Sequence, residues 1–208
     1  MLHAAPVVTL VLSIGTKAEL RKSRKGCSTY NMYYGEIKDC DIANGPGVRV
    51  SLFVSGCTNR CKNCFQPETW AFDYGEPFTD EVPEDILPPF EISSVRGLTV
   101  LGGEPMEPEN QGDVLSILRT FKEKYPEKTA WLYTGSLYEE LTGKSGEHRC
   151  FLPITAELLS YVDILVDGPY VEEEKSLGLR FRGSKNQRVI DMNATRREGK
   201  IVLWEGIK

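Results

Sequence analysis

Three closely spaced cysteines are the side chains of this sequence best suited to chemistry. Cys57, Cys61 and Cys64 have the spacing C-x3-C-x2-C. Three thiolates this close can face one point only if the chain wraps around a metal ion or a metal cluster. Structural zinc sites take four protein ligands, whereas an open coordination position is typical of catalytic metals. The spacing therefore predicts a metal or iron–sulfur site with one position left open.

A zinc site without catalysis is the alternative reading of the same motif. Each remaining cysteine and histidine stands alone in the sequence: Cys27, Cys40, Cys150, His3 and His148. A fourth ligand from His148 or Cys150 would complete a structural zinc site and make the chain a binding module. Iron and sulfide in the protein would exclude this alternative, and one zinc ion per chain would support it.

Alternating strands and helices must position these cysteines. Short apolar, β-branched runs predict four strands, over residues 48–55, 97–101, 130–133 and 162–166. Apolar residues at helical spacing predict one helix over residues 114–125, closed by Pro126, and a second over residues 155–161. This alternation favours a parallel sheet with crossover helices, whose chemistry gathers at the carboxyl ends of the strands. Four strands fall short of a closed eight-stranded barrel, so we expect an α/β fold with an open, partial β/α barrel.

Composition narrows the classes of protein to be considered. The chain has 208 residues, six cysteines and a net charge of −5. The negative charge argues against a nucleic-acid binder, and no apolar run reaches the roughly 18 residues of a membrane span. Clustered, sparse cysteines point to metal chemistry in a reducing compartment, so we expect a cytoplasmic protein.

Both ends of the chain differ from the patterned middle. Residues 1–31 are predicted to be a disordered extension, or the result of a translation start assigned too far upstream. Their basic residues follow the apolar run, whereas a signal peptide carries its basic residues before the apolar run. The catalytic domain is expected over residues 32–191. Residues 192–208 form an extension, in which residues 201–204 are predicted to pair with residues 187–191 across a polar loop over 192–200.

The cysteine spacing after a strand resembles the signature of radical S-adenosylmethionine (SAM) enzymes. Further motifs, between about residues 33 and 190, resemble the activating proteins of anaerobic ribonucleoside-triphosphate reductases. They are Asn44-Gly-Pro-Gly-Val-Arg49, Leu52-Phe-Val-Ser-Gly-Cys57, Phe65, Thr69-Trp70, Gly75-Glu-Pro-Phe78, Leu101-Gly-Gly-Glu-Pro105, Trp131-Leu-Tyr-Thr-Gly135, Leu165-Val-Asp-Gly168 and Arg182-Gly-Ser-Lys-Asn-Gln187.

The resemblance implies a radical SAM fold and an enzyme that activates another enzyme. Cys57, Cys61 and Cys64 would hold one [4Fe-4S] cluster per chain, with SAM on the fourth iron. Reduction would cleave SAM to methionine and a 5′-deoxyadenosyl radical, which would generate a glycyl radical in the C-terminal glycine loop of the reductase large subunit. The electron would come from a donor such as reduced flavodoxin.

The resemblance also implies which residues contact SAM. Asn63 and Phe65, on either side of the third cysteine, would contact the adenine. Gly102 and Gly103 would let the backbone approach the ligand closely, and Glu104 would accept hydrogen bonds from the SAM ammonium. Asp167 ends a strand on the same face and is a further candidate, although a turn residue before a glycine is an equally good interpretation.

Two other readings remain within the radical SAM enzymes. Activators of formate-lyase-type glycyl radical enzymes share the Gly-Pro-Gly-x-Arg motif. They often carry extra cysteine clusters, which this chain lacks. A small-molecule substrate is disfavoured by the short chain, because a small barrel leaves the site open to a protein loop. Residues 142–153 form a polar insert beyond the short family form.

Overall fold

The computed structural model describes residues 31–206. Its centre is a seven-stranded sheet in the order β3-β1-β2-β4-β5-β6-β7. The strands are β1 (Tyr33–Asp41), β2 (Val48–Val54), β3 (Glu76–Pro77), β4 (Val95–Gly102), β5 (Thr129–Tyr133), β6 (Ile164–Asp167) and β7 (Arg188–Asp191). The four inner strands, β2, β4, β5 and β6, are parallel, and β1, β3 and β7 are antiparallel to their neighbours. The sheet is not closed, so the fold is α/β with a mostly parallel, open sheet.

Helices lie between the strands from β3 to β6, and a last helix follows β7. They are α1 (Val82–Asp85), α2 (Gln111–Lys124), α3 (Tyr138–Leu141), α4 (Thr155–Ser160) and α5 (Met192–Glu198). Single 3-10 turns lie at Pro67–Trp70, Pro88–Glu91 and Glu172–Glu174. The longest helix, α2, presents Val114, Ile117, Leu118 and Phe121 on one face, all fully buried against the sheet. No helix among residues 31–206 is long and apolar enough to cross a membrane.

Side chains alternate between the two faces of the sheet along each strand, so each face carries its own set of residues. On β2, Val50, Leu52 and Val54 belong to the large apolar core beneath the helices. The other face carries a smaller cluster built on Trp131, with Ile164, Val166, Val189 and the partly buried Trp204. The candidate site lies above this second face, at the carboxyl ends of the parallel strands.

A buried arginine stabilises the floor of the second face. Arg49 Nε donates a hydrogen bond to Thr99 Oγ1 at 2.7 Å, and Nη2 donates to the carbonyl oxygens of Leu98 and Thr129. Its guanidinium lies 5.5 Å from the Trp131 ring centroid. Burial lowers the pKa of Arg49 to about 10. Arg49 therefore joins β2, β4 and β5 through hydrogen bonds to uncharged groups.

The four predicted strands and both predicted helices are present. The polar loop predicted over residues 192–200 is wrong, because most of it forms α5. Asp191 caps the start of this helix, with its side chain accepting a hydrogen bond from the Ala194 N–H, and Gly199, with φ at +68°, caps its end. The predicted pairing of residues 201–204 with residues 187–191 is present as an antiparallel bridge between Ile190 and Leu203. The Asp191 N–H donates to the Val202 carbonyl oxygen, and the Trp204 N–H donates to that of Val189. The expected extension over residues 1–31, including Cys27 and His3, lies almost wholly outside the described residues.

Candidate functional site

The cysteine motif forms a loop that follows directly from β2. Cys57 is buried, and Cys61 and Cys64 are half-buried. Arg60 and Asn63, each directly before a cysteine, have positive φ angles of 47° and 57°. Asparagine tolerates this left-handed conformation better than most residues. The two left-handed turns fold the loop back on itself, so that all three thiols face the same cavity.

That cavity has a volume of about 250 Å³. It joins the cysteine loop to the carboxyl ends of β4, β5 and β6 and to the segment before β7. Its lining comprises Cys57, Asn59, Cys61, Cys64, Phe65, Gln66, Trp70, Leu101, Gly102, Gly103, Tyr133, Thr134, Gly135, Gly168, Tyr170, Gly183 and Gln187. The predicted location of the chemistry, at the carboxyl edge of a parallel sheet, is thus where the thiols lie.

The surroundings of the thiols suit a metal cluster. Burial raises the pKa of Cys57 to about 11 and also raises the pKa of Cys61. Backbone N–H groups of Asn59 and Arg60 donate to the Cys57 sulfur, and that of Tyr170 donates to Cys61. A cationic centre must therefore displace the thiol protons, and the N–H groups then stabilise the thiolates.

The donor set fits an iron–sulfur cluster better than a single ion. Within residues 31–206, no three cysteine, histidine or carboxylate side chains converge as ligands of one metal ion. A four-iron cluster instead spreads its thiolates over different iron atoms, each with its own cysteine. Three thiols around a cavity of this size meet that requirement.

Glu104 connects the cysteine loop to β4 and β5. Its side chain is almost fully buried. One carboxylate oxygen accepts hydrogen bonds from the Asn59 amide at 2.8 Å and from the Gly135 N–H at 2.7 Å, and the other accepts from the Met106 N–H. Burial raises the pKa of Glu104. The carboxylate therefore connects the cysteine loop, through Asn59, to the end of β5, through Gly135.

A second buried carboxylate, Glu107, fixes the next residue of the loop. One of its oxygens accepts hydrogen bonds from the Thr58 N–H at 2.7 Å and from the Thr58 hydroxyl at 2.8 Å. Arg149 forms an ion pair with Glu107 and also donates to the Asn59 side-chain oxygen at 2.6 Å. The polar insert thus supplies a cation that contacts both halves of this network.

Gly102 and Gly103, at the end of β4, lie so close to the cysteine loop that a residue with a side chain would not fit there. Gly102 has φ at +112°, and a Cβ on Gly103 would lie 2.6 Å from the Gly56 carbonyl oxygen. The Gly103 N–H donates to the Val54 carbonyl oxygen, and the Glu104 N–H donates to that of Gly56. The two glycines are therefore required by backbone packing as well as by the cavity that they line.

Comparison with known proteins identifies the family. Residues 43–190 match the model of a 4Fe-4S single cluster domain. The anaerobic ribonucleoside-triphosphate reductase-activating protein of Vibrio cholerae is 38% identical over 158 residues, which cover 75% of this chain and 96% of that protein. The proteins of the same name from Enterobacteria phage T4 and Escherichia coli K12 are 36% and 33% identical, over 76% and 75% of this chain and 93% and 96% of their own lengths.

The chain belongs to the anaerobic ribonucleoside-triphosphate reductase-activating protein family. The family model supports an iron–sulfur cluster, and the three cysteines of the cavity are the candidate ligands in this member of the family.

Not every residue predicted to contact SAM lines the cavity of this activating-protein family member. Phe65, with 81% of its surface exposed, lies at the cavity mouth, and Gly102 and Gly103 line its wall. Asn63 is exposed and Glu104 lies behind the wall, so neither is among the lining residues. Their contacts with SAM stay predictions.

Asp167 is fully buried beside the cavity rather than in its lining. It forms an ion pair with Arg188, whose guanidinium also donates to both carboxylate oxygens of Glu139. The Tyr138 N–H donates to Asp167 at 2.8 Å. Within this family member, Asp167 therefore fixes α3 and β7 against β6, and its contact with SAM stays a prediction.

The cysteines and the histidine outside the motif lie away from the cavity lining. Cys150 is buried, and its pKa is raised to about 11 by burial. His148 accepts a hydrogen bond from the Cys150 N–H and lies 3.8 Å from Glu140. Cys40 is exposed on β1. None of these three side chains joins the motif cysteines in the described structure.

Several residues that the fold brings together here have no site role among the sequence-based predictions. Tyr133, Thr134 and Gly135 line the cavity from the end of β5, and their position at a strand end is a signal that sequence reasoning can use. Arg149 gives no such signal, because an arginine in a polar segment is usually solvated.

Proposed function

We propose that this protein activates the anaerobic ribonucleotide reductase by generating a glycyl radical on it through reductive cleavage of SAM. One observation carries the proposal: three cysteines of one loop line a cavity at the carboxyl edge of a parallel sheet, in a chain whose relatives are named as activators of that reductase. The glycine would lie in the C-terminal loop of the large subunit. The open, mostly parallel sheet supports a partial barrel of the radical SAM type.

When bound, a [4Fe-4S] cluster and SAM would supply the radical chemistry: one electron from a reductant such as reduced flavodoxin would cleave SAM to methionine and a 5′-deoxyadenosyl radical, and the target glycine would give up a hydrogen atom to that radical. Cys57, Cys61 and Cys64 would hold three irons and leave the fourth open to SAM. The chain contributes position and exclusion of water.

The contacts with SAM follow from which residues line the cavity. Gly102 and Gly103 present backbone without side chains, and Phe65 provides an aromatic ring at the mouth, where a purine can stack. Glu104, Asn63 and Asp167 are the weaker candidates, since none of the three lines the cavity. Of these, Glu104 lies directly behind the cavity wall and stays the candidate for the SAM ammonium.

An anaerobic assay tests the proposal. The protein is reconstituted with iron and sulfide, reduced and given SAM, and 5′-deoxyadenosine is measured with and without the reductase large subunit. We expect deoxyadenosine together with a glycyl radical signal in the electron paramagnetic resonance (EPR) spectrum of the subunit. Deoxyadenosine without that signal would exclude the reductase as target, and zinc in place of iron would support the binding-module alternative.

Replacing single cysteines tests the ligands. Cys61→Ala should abolish cluster binding and SAM cleavage together, because a four-iron cluster with two thiolates is poorly held. Cys40→Ala is the matched control, since Cys40 is exposed on β1 and outside the cavity lining. Retained SAM cleavage in the Cys61→Ala variant would overturn the assignment.

A further inference from the structure

The β6–β7 loop, residues 168–187, forms one side of the cavity. Four of its residues are among those that line the cavity: Gly168, Tyr170, Gly183 and Gln187. The backbone N–H of Tyr170 also donates a hydrogen bond to the Cys61 sulfur. The loop is therefore part of the site, and a protein that reaches into the cavity must pass beside it.

Two further contacts join this loop to the cysteine motif. Glu173 forms an ion pair of 3.0 Å with Lys62, which lies between the second and third cysteines. The ammonium of Lys175 lies 5.4 Å from the ring centroid of Phe65, the exposed aromatic side chain at the mouth of the cavity. These contacts place the first arm of the loop at that mouth.

Hydrogen bonds within the β6–β7 loop hold its two arms together. The Val171 N–H donates to the Ser184 hydroxyl, and the Lys185 N–H donates to the Glu174 carbonyl oxygen. The tip of the loop, residues 176–183, lies between the arms. Because the arms are fixed to each other, a partner that binds at the tip has little conformational entropy to remove.

Leu177, in the tip, is directed into solvent. Its exposed fraction of 97% is the highest among the large apolar residues of the described chain, residues 31–206. Single exposed leucines are common on protein surfaces, so exposure alone assigns no role. The position is what distinguishes this leucine: two residues of chain span at most about 7 Å, so Leu177 lies close to Lys175 and to the cavity mouth.

The tip is also a basic segment in an acidic chain. Residues 175–185 contain no acidic residue and four basic ones, Lys175, Arg180, Arg182 and Lys185, whereas the whole chain has a net charge of −5. The acidic turn Glu172–Glu174 precedes this segment, and two of its carboxylates already contact Lys62 and Lys175. A surface that complements the tip therefore has an apolar pocket bordered by carboxylates.

We propose that the tip of the β6–β7 loop docks the reductase large subunit, with Leu177 inserted into an apolar pocket bordered by carboxylates on that subunit. The proposal rests on the proposed function, in which a protein must place a glycine in the cavity. Glycine has no side chain, so the cavity contributes little to recognition of the target, and affinity has to come from surfaces outside it. Leu177 supplies such a surface beside the mouth.

The test compares Leu177→Ser with wild-type protein and with Ile42→Ser. Ile42 is the matched control, because it is 75% exposed and lies between β1 and β2, at the edge of the sheet opposite the cavity. Each reconstituted protein is assayed for binding to the reductase large subunit and, without that subunit, for formation of 5′-deoxyadenosine from SAM.

Leu177→Ser should bind the large subunit roughly five- to thirtyfold more weakly, as expected for an apolar anchor at an interface. Its formation of 5′-deoxyadenosine without the subunit should equal that of wild type, and Ile42→Ser should change neither quantity. Binding of the wild-type protein should weaken as the salt concentration rises, because the basic residues of the tip face carboxylates.

The other outcomes overturn the proposal in different ways. Unchanged binding in Leu177→Ser, or binding of wild type that is independent of salt, overturns it while the proposed function stands. Equal weakening in Ile42→Ser would show that any exposed apolar side chain has this effect. Less 5′-deoxyadenosine from Leu177→Ser without the subunit would show that the leucine maintains the site instead. If wild-type protein cleaves SAM but forms no glycyl radical, the proposed function fails and the docking proposal falls with it.

Discussion

The side-chain amide of Asn59 donates a hydrogen bond of 2.8 Å to Glu104, across 45 positions of sequence. Asn59 lies two residues after the first cysteine of the motif, and Glu104 directly follows the glycine pair at the end of β4. The bond makes the cysteine loop and the opposite wall of the cavity one structural unit. Such a loop is held in place before a cluster binds, which lowers the entropic cost of binding.

Glu104→Gln should destabilise this unit. Each carboxylate oxygen of Glu104 accepts hydrogen bonds, and a glutamine must turn an NH2 group toward at least one of the N–H donors. We expect a loss of about 1–3 kcal/mol in the free energy of unfolding, since a buried donor is left without an acceptor. Urea unfolding of the cluster-free protein measures it, and iron content after reconstitution should fall as well.

Glu157→Gln is the control for that experiment. Glu157 also accepts a hydrogen bond, from Arg119 at 2.6 Å, but both side chains are about half exposed. Its replacement should change stability by no more than about 0.5 kcal/mol. Equal effects of the two substitutions would show that Glu104 contributes no more than a surface carboxylate.

Arg149→Met tests the contribution of the polar insert. Glu107 is 2% exposed and loses its countercharge in this variant, while the half-exposed arginine leaves space for water. We expect a loss of about 1–2 kcal/mol and faster release of iron to a chelator. Arg119→Met removes an exposed arginine from a comparable ion pair and should do neither. Iron release at the same rate in both variants would contradict a role of Arg149 at the loop.

The parts of the fold that could be predicted are those whose pattern of apolar and polar residues is visible along a short stretch of sequence. The inner strands are continuous apolar runs because helices or side chains cover both of their faces. Strand β1 was not predicted, since its sequence YYGEIKDCD is largely polar and five of its nine residues are exposed. Its position is fixed by pairing with β2 over Tyr34 to Asp41, which no local pattern reveals.

The candidate site divides in the same way. The cysteines and the glycine pair can be identified from the sequence alone, by residue type and spacing. The partners that hold them do not: Arg149 and Asn59 lie 90 positions apart and meet only because the insert folds over the loop. In the sequence, Tyr133 is only the last residue of a predicted strand, and the fold is needed to show that it lines the cavity.

Stability should depend on pH through Glu139. Hydrogen bonds from Arg188 lower the pKa of this carboxyl below its usual value of 4.5. A carboxyl group whose pKa is lower in the folded protein stabilises the fold above pH 4.5, and this stabilisation is lost as the pH falls through the folded pKa. Glu139→Gln should therefore be less stable than wild type at neutral pH, and the difference should shrink steadily below pH 4.5. Urea midpoints of both proteins across this range measure it, and a constant difference would contradict the prediction.

Gly103→Ala should separate the two walls of the cavity. A methyl group at this position would lie 2.6 Å from the Gly56 carbonyl oxygen and 3.0 Å from that of Thr69, and neither backbone can move without displacing the cysteine loop. We expect a loss of about 1–3 kcal/mol, together with poor cluster reconstitution. Unfolding curves and iron content measure the two effects.

Gly112→Ala is the control that makes this result specific. Gly112 lies in α2, and nothing lies within 4 Å of its added methyl group. Alanine is the better helix former, so this variant should gain up to about 1 kcal/mol and keep its iron. If Gly103→Ala bound iron as wild type does, the close approach of β4 to the cysteine loop would have no part in holding the cluster. The pair of variants thus separates the cost of a methyl group on any glycine from its cost where the two walls meet.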